Sequence, residues 1–424
     1  MREMKDSGIE WIGEIPTSWE TRKLFGLLQT IGSGTTPKGE DNYSKNGVPW
    51  LNTGDLNDGY ISETGKCVTE VAISNYSALQ MHKAGSIVIA MYGATIGKLG
   101  ITEIDLTTNQ ACCVMNPTEL LEKKFLFYIL MAAKDYFLFS SYGAGQPNIS
   151  QNTIRQLKVP YTDIINQRRI CEYVDEKCTK IDAIIEKQQE IIEKLKEYKL
   201  SVITETVTKG LNPNVEMKDS GCKWIGHIPK HWEMIYPKKL FSQRKDKAYE
   251  EDEQLTSSQK YGIISQKDFM ELEGRQVMQV IKGEEILKHV EQGDFVISMR
   301  SFQGGLEYSE ISGKISSAYV MVVPNNGLVY DRYYKWLFKS SHYITALQGT
   351  TNLIRDGQAL RFSNFIQVYL PVFGKDEQKK IADYLDEICP TIETEIEKRE
   401  KLLDKINEYK KSLIYEVVTG KKEV

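Results

Sequence analysis

Two long stretches of the chain carry apolar residues at intervals of seven, among many Glu and Lys residues. No Gly or Pro interrupts the first stretch, residues 166–208, and Gly210 and Pro213 follow it. The pattern predicts helices of about 43 residues, roughly 65 Å long. The positions that define the two stripes are Val174, Ile181, Gln188, Leu195 and Val202, and then Leu385, Ile392, Arg399, Ile406 and Leu413.

A stripe of this length is typical of a coiled coil. Because so long a helix cannot bury its whole stripe against one compact domain, we expect the two helices to pair antiparallel about a pseudo-two-fold axis. Gln188 and Arg399 take equivalent polar positions, and they either set the register of the pair or lie at a solvated edge. Pro390 either kinks the second helix or marks its beginning.

The residues before each long helix mix short apolar runs with turn signals. Residues 84–102 predict two short strands around Gly-rich turns, and residues 123–140 predict a core helix. Residues 293–308 and 331–347 repeat this order. The predicted fold is therefore α+β, with two tandem domains that are each followed by a long helix. The predicted segments are a first domain at 1–160, a helix at 161–212, a second domain at 213–371 and a helix at 372–424.

The chain is an internal repeat whose two copies agree best at their ends. Residues 4–20 and 217–233 match without a gap at 12 of 17 positions, and residues 197–208 resemble 408–419 at an offset of 211. The interiors differ almost everywhere. Similar ends indicate similar scaffolds, and different interiors favour two domains with related tasks on different targets. Duplication followed by drift in surface loops is the alternative.

Composition narrows the choice of function. The net charge is −4 and 41% of residues are hydrophobic, so the chain is globular, and any nucleic-acid contact must come from local patches. No apolar run is long enough to span a membrane and no secretory signal is visible, so a cytoplasmic location is expected. The seven cysteines are expected to be scattered reduced thiols, with no metal site. No methyltransferase tetrapeptide, hydrolase motif or P-loop is present, which favours a binding module over an enzyme.

The candidate DNA-contacting residues are polar side chains in predicted loops. Arg, Asn and Gln can form two hydrogen bonds to a base edge, whereas Lys mostly contacts phosphate. In the first domain they are Thr35, Thr36, Lys38, Tyr43, Lys45, Asn46, Tyr92, Thr95, Lys98, Gln146 and Asn148. In the second domain they are Arg244, Lys245, Lys247, Gln259, Tyr261, Arg300, Gln303 and Arg355.

Several motifs together resemble the specificity subunit of type I restriction–modification systems. They are W-I-G-x-I-P-x-x-W at 11–19 and 224–232, G-S-G-T-T-P-K at 32–38, VPWLNTGDL at 48–56, the P-x(6)-Q-(R/K)-(R/K)-I openings at 160–170 and 371–381, and I-D-A-I-I at 181–185. The resemblance covers essentially the whole chain. The second domain departs from it, because YGIISQKDF at 261–269 stands where the G-x-T-x-P segment would be.

The resemblance implies two target-recognition domains that each read one half of a split, asymmetric DNA site. It implies that the helix pair sets the spacer between the halves. It also implies two modification subunits that bind S-adenosylmethionine and methylate adenine, and restriction subunits that use ATP and Mg²⁺, so the chain itself would bind no cofactor and catalyse no reaction. A stand-alone nuclease or methyltransferase and a coiled-coil scaffold that binds only proteins are the competing hypotheses.

Overall fold

The computed structural model describes residues 2–141, 148–274, 286–298, 301–350 and 360–424. The chain forms two compact units. Unit 1 comprises Met1–Gln188 and Lys401–Val424, and unit 2 comprises Gln189–Glu400. Each unit therefore contains one α+β domain together with the first part of one long helix and the last part of the other. Local sequence patterns do not reveal this exchange, because in the sequence each domain is followed directly by one complete long helix.

Unit 1 contains the N-terminal domain. Its strands are β1 (Met4–Ile9), β2 (Gly13–Pro16), β3 (Glu20–Lys23), β4 (Leu28–Ser33), β5 (Tyr43–Ser44), β6 (Val48–Leu51), β7 (Gly59–Ile61), β8 (Lys66–Val68), β9 (Ile87–Ala90), β10 (Leu99–Thr102), β11 (Thr107–Thr108), β12 (Cys112–Pro117) and β13 (Lys158–Tyr161). Its helices are α1 (Glu70–Asn75), α2 (Lys123–Ala132), α3 (Lys134–Ser141), α4 (Gln151–Gln156) and the first part of α5 (Ile164–Lys209).

A five-stranded sheet in the order β4-β12-β9-β10-β7 forms the centre of unit 1. Strands β9 and β10 pair antiparallel, which confirms the two strands predicted within residues 84–102. The predicted helix at 123–140 is two helices, α2 and α3, because the chain turns at Ala133. Helix α2 is apolar on nearly all sides, because six consecutive residues, 125–130, are buried in the same core as the sheet. A four-stranded sheet, β11-β6-β8-β5, lies beside the first.

Unit 2 repeats this plan, and its described residues form a central sheet of four strands. Its strands are β14 (Met217–Asp219), β15 (His227–Pro229), β16 (Glu233–Ile235), β17 (Phe241–Arg244), β18 (Leu255–Ser258), β19 (Gly262–Ser265), β20 (Lys288–Val290), β21 (Phe295–Ile297), β22 (Glu307–Tyr308), β23 (Gly313–Ile315), β24 (Val320–Pro324) and β25 (Leu370–Val372). Its helices are α6 (Gln266–Glu273), α7 (Ser301–Gly304), α8 (Asp331–Leu337), α9 (Ser341–Gln348), α10 (Phe362–Phe365) and the first part of α11 (Lys375–Val418).

The central sheet of unit 2 has the order β17-β24-β21-β22. Its first three strands repeat β4, β12 and β9 of unit 1 in the same arrangement. An aromatic cluster fills the core, in which the rings of Trp232 and Phe373 stack with centroids 3.7 Å apart. The predicted helix at 331–347 is again a pair, α8 and α9. The duplication seen in the sequence is therefore a duplication of the packed core.

The two long helices that the seven-residue spacing predicts are present in the structure. Helix α5 has 46 residues and α11 has 44, and α11 runs through Pro390, so this proline does not mark its beginning. In unit 1, Lys410 Nζ of α11 lies 2.6 Å from Asp182 of α5, and Ile414 of α11 lines the same cavity as Cys178 of α5. The two helices therefore run antiparallel in this unit.

Unit 2 contains the counterpart of that ion pair, between Lys199 of α5 and Glu393 of α11. The offset of 211 that relates the two repeats carries Asp182 to Glu393 and Lys199 to Lys410. Each helix thus provides the acid in one unit and the lysine in the other. Arg399 pairs with Glu395 of its own helix at 2.8 Å.

A buried glutamine ties each domain to the helix that follows it. The amide of Gln167 accepts from Glu122 N at 2.8 Å and donates to Leu120 O and Thr162 O at 3.0 and 2.7 Å. In unit 2, Gln378 accepts from Tyr330 N and donates to Leu328 O and Phe373 O. Both glutamines are fully buried. Buried amides with every bond satisfied fix the helix to the sheet, because slippage would leave backbone groups unpaired.

Replacing the buried glutamine of either unit is expected to destabilise that unit. Gln167→Ala leaves one backbone N–H and two carbonyls without their partner, which costs about 2–4 kcal/mol and lowers the unfolding midpoint by roughly 5–10 °C. Thermal unfolding followed by circular dichroism measures the shift. The control is Gln189→Ala on the exposed surface of the same helix, which should change stability by less than about 0.5 kcal/mol. Equal midpoints for the two variants would contradict the anchoring role.

All seven cysteines are free thiols, and Cys67 and Cys222 are the two that are partly exposed. Burial raises the pKa of Cys113 to about 12, so this thiol stays protonated at neutral pH. The five buried cysteines therefore pack as small apolar side chains.

Candidate nucleic-acid interface

In unit 1, three polar loops leave the central sheet at the same edge. Strand β4 ends at Ser33 and β9 ends at Ala90, while β12, which lies between them, begins at Cys112. The registers place Cys113 opposite Ser33 and Cys112 opposite Ala90. The loop after β4, the loop after β9 and the turn before β12 therefore form one surface. At the other end of β12 the chain continues to α2, close to the buried Gln167 of α5.

Gly34 holds the loop after β4 close to the segment that precedes β12. Its N–H donates to Thr108 Oγ1 at 3.0 Å and to Asn109 O at 3.2 Å. A Cβ atom on Gly34 would lie 1.7 Å from Thr108 O, so no side chain fits there. Trp50 Nε1 donates to Thr35 O at 3.1 Å. These contacts keep Thr35 and Thr36 at the edge of the sheet.

The next part of this loop is fixed by aromatic hydroxyls. Tyr43 Oη donates to Pro37 O at 3.0 Å, and the Lys38 N–H donates to Tyr76 Oη at 3.1 Å. Burial raises the pKa of the Tyr43 phenol, so it remains a hydrogen-bond donor at neutral pH. The side chain of Lys38 stays exposed and available to a phosphate.

Lys45 and Asn46 form the exposed turn between β5 and β6, on the smaller sheet. The remaining predicted residues of unit 1 follow β9. Tyr92 pairs with Asn148 in an isolated antiparallel bridge, and Thr95 and Lys98 continue the hairpin towards β10. The structure therefore brings most of the candidates of unit 1 to one side of its sheets, and Gln146 lies outside the described residues.

Sequence reasoning missed Gln110, which lies at the centre of this surface. Thr36 Oγ1 donates to Gln110 Oε1 at 2.7 Å, and Tyr92 Oη donates to Gln110 O at 2.6 Å. Gln110 thus links the loop after β4 to the loop after β9. The only sequence signal was its place in the polar turn T-T-N-Q, just before a buried strand.

The corresponding edge of unit 2 has different chemistry. Strands β17 and β21 end there and β24 begins there. The guanidinium of Arg244 contacts Asp294 at 2.7 Å, Asp246 at 3.1 Å and Glu291 at 2.7 Å. Hydrogen bonds and the charge of Asp294 raise the pKa of Arg244 well above its usual value. Arg244 therefore holds its loop through internal ion pairs, while the neighbouring Lys245 and Lys247 are exposed.

The other candidates of unit 2 lie on the turn between β18 and β19 and on α7. Gln259 and Tyr261 line a cavity of about 650 Å³ together with Lys196 and Lys199 of α5. Tyr261 Oη donates to Glu273 at 3.2 Å. Gln303 is exposed on α7, shortly after β21. Arg300 and Arg355 lie outside the described residues.

Within the described ranges, no group of three His, Cys, Asp or Glu side chains is arranged to hold a metal ion. In the same part of the chain, no helix combines the length and the apolar character that crossing a bilayer requires.

Comparison with known proteins gives consistent matches. A sequence model of the family described as type I restriction modification DNA specificity domain matches residues 16–206. The chain is 21% identical to the type I restriction enzyme MjaVIII specificity subunit of Methanocaldococcus jannaschii, over 96% of this chain and 93% of that protein. It is 25% identical to the putative type I restriction enzyme MjaX specificity subunit of the same organism, over 97% of this chain and 95% of that protein.

Two solved structures share the fold. One chain of a structure described as the structural basis of complex assembly and conformational transition of the type I R-M system has a TM-score of 0.70 at 13% identity, covering 95% of this chain and 98% of that chain. The HsdS subunit from Thermoanaerobacter tengcongensis has a TM-score of 0.52 at 13% identity, covering 96% and 98%.

The fold of two α+β units with long helices is thus the fold of HsdS subunits. Residues 16–206 match the DNA specificity domain of type I restriction–modification systems, and over nearly its whole length the chain is similar to specificity subunits of these systems. Recognition of a DNA sequence is the function that this family implies.

Proposed function

We propose that the chain reads a split, asymmetric DNA site, and that each unit presents its strand-edge surface to one half of that site. The observation that carries this proposal is a contrast between the two repeats of the chain: their scaffolds are alike, whereas their loop surfaces differ. The buried glutamines and the inter-helix ion pairs repeat at an offset of 211, whereas the loops at the sheet edges share neither sequence nor hydrogen bonding. Drift alone offers no reason for unit 1 to hold a Thr–Gln–Tyr network beside β12 and for unit 2 to end β17 with an arginine bonded to three carboxylates.

The helix pair sets the number of base pairs between the two half-sites. Its two related ion pairs, Asp182–Lys410 and Lys199–Glu393, support this role because they specify one antiparallel register. Exposed ion pairs add little stability, so their main effect is on which register forms.

The chain acts as the non-catalytic recognition component of a larger complex. Two modification subunits, which bind S-adenosylmethionine, methylate adenine in the site, and restriction subunits use ATP and Mg²⁺. A duplicated scaffold supports two copies of one modification partner, because equivalent surfaces occur once in each repeat. The chain is nearly neutral overall, so partner subunits supply much of the positive charge that tight DNA binding needs.

The test is to co-express the full chain with its modification subunits and to map N6-methyladenine across the host genome. We expect one motif with two specified parts, different from each other, separated by a spacer of constant length. The modification subunits without the chain are the control, and they should produce no such motif. A palindromic or one-part motif, or turnover of DNA by the purified chain alone, would refute the proposal.

A further inference from the structure

Gln110 is an exposed side chain on a backbone that is fixed by its neighbours. The Asn109 N–H donates to Leu51 O at 2.9 Å, and the Ala111 N–H donates to Asn109 Oδ1 at 3.0 Å. The Met91 N–H donates to Ala111 O at 2.8 Å. An ordinary surface glutamine has no such support. The Cα of Gln110 is therefore held in place although its side chain is directed to the surface of the unit.

The amide of Gln110 is also oriented. Thr36 Oγ1 donates to Oε1 at 2.7 Å, and no other side chain of the described residues hydrogen bonds to this amide. One acceptor position on Oε1 and both hydrogens on Nε2 are left for a ligand. Fixing the amide in advance reduces the conformational entropy that binding must remove.

We propose that Gln110 is a base-reading residue of unit 1, that its amide recognises adenine in the major groove, and that Thr36 is its positioning residue. Adenine presents the N7 acceptor beside the N6 amino donor, and a glutamine amide matches this pair with Nε2 and Oε1. The bond from Thr36 is compatible with this geometry because Oε1 accepts two hydrogen bonds. The inference rests on the proposed function, since it assigns a base contact to one half-site.

Unit 2 has no glutamine at the equivalent position. Strands β9 and β21 begin at Ile87 and Phe295, which pair with Met115 of β12 and Val322 of β24. Counting back five residues from these partners places Ser317 where unit 1 has Gln110. The Ala318 N–H donates to Ser316 Oγ at 3.3 Å, as the Ala111 N–H does to Asn109 Oδ1 in unit 1. The single hydroxyl of Ser317 cannot form the bidentate contact that a glutamine amide makes with adenine. Loss of Gln110 should therefore affect one half-site only.

The experiment compares variants of the full chain in its complex with the modification subunits, by mapping N6-methyladenine. Gln110→Ala should reduce discrimination at one A·T position by about tenfold to hundredfold, and leave the spacer and the other half-site unchanged. Thr36→Val should reduce the same discrimination less, and Thr36→Ser, which keeps the hydroxyl, should restore it. The matched control is Gln80→Ala, an exposed glutamine elsewhere in unit 1.

Co-elution of each variant with the modification subunits and an unchanged thermal midpoint show that it is folded. In such a complex, an unchanged motif, a uniform loss of methylation at all sites, or a change in the other half-site would overturn the inference while leaving the proposed function intact. A wild-type complex without a two-part motif would overturn both.

Discussion

Replacing residues 21–160 with the corresponding segment of a related chain is expected to exchange one half of the methylated sequence and to leave the other half and the spacer unchanged. The two ends of this segment meet in one antiparallel pair, since Thr21 of β3 lies opposite Pro160 of β13. The replaced part therefore enters and leaves the scaffold at adjacent positions. The buried contacts of Gln167 with Glu122 and Leu120 use backbone atoms, which a homologous segment also supplies.

Mapping N6-methyladenine in cells that carry the hybrid measures the outcome, and methylation at the original site should disappear. The matched control is the exchange of residues 234–371, whose ends meet in the same way at Met234 and Pro371. It should change the opposite half-site. If either exchange altered both half-sites, the two units could not be independent readers.

Deleting residues 188–194 from α5 and residues 399–405 from α11 is expected to shorten the spacer. Seven residues correspond to about 10 Å of helix, so the change is at most about 3 base pairs at 3.4 Å each. The double deletion removes equal lengths between Asp182 and Lys199 and between Glu393 and Lys410. Both ion pairs can therefore still form, and the heptad phase is kept. Methylation at the original spacing should be lost, with both half-sites unchanged.

The control is deletion of residues 188–194 alone. The distances between the paired residues then differ on the two helices, so the ion pairs cannot form together, and the complex should assemble poorly in size-exclusion chromatography. Methylation of the original sequence at its original spacing by the double-deletion variant would show that the helix pair does not set the spacer.

Part of the candidate interface could be predicted because polar residues beside buried strands occupy loops. Thr36 and Tyr92 were found in this way, and the structure brings them to one edge. Gln110 was not found, because the strand order β4-β12-β9 is not the order of the chain. Arg244 was chosen for its residue type, which favours base contact, and only the structure reveals that three carboxylates bind its guanidinium.

The two long helices, the duplication and the α+β class can all be predicted from the amino-acid sequence. These features depend on periodicity and on similarity between segments, which are local properties that a single chain displays directly. The tertiary structure alone decided which loops share a surface, which charges are neutralised by internal partners, and that each unit combines the beginning of one long helix with the end of the other. The physical reason is that these properties depend on contacts between residues far apart in the chain. The hydrophobic pattern specifies which face of a helix or strand is buried, but it does not specify which other element covers that face.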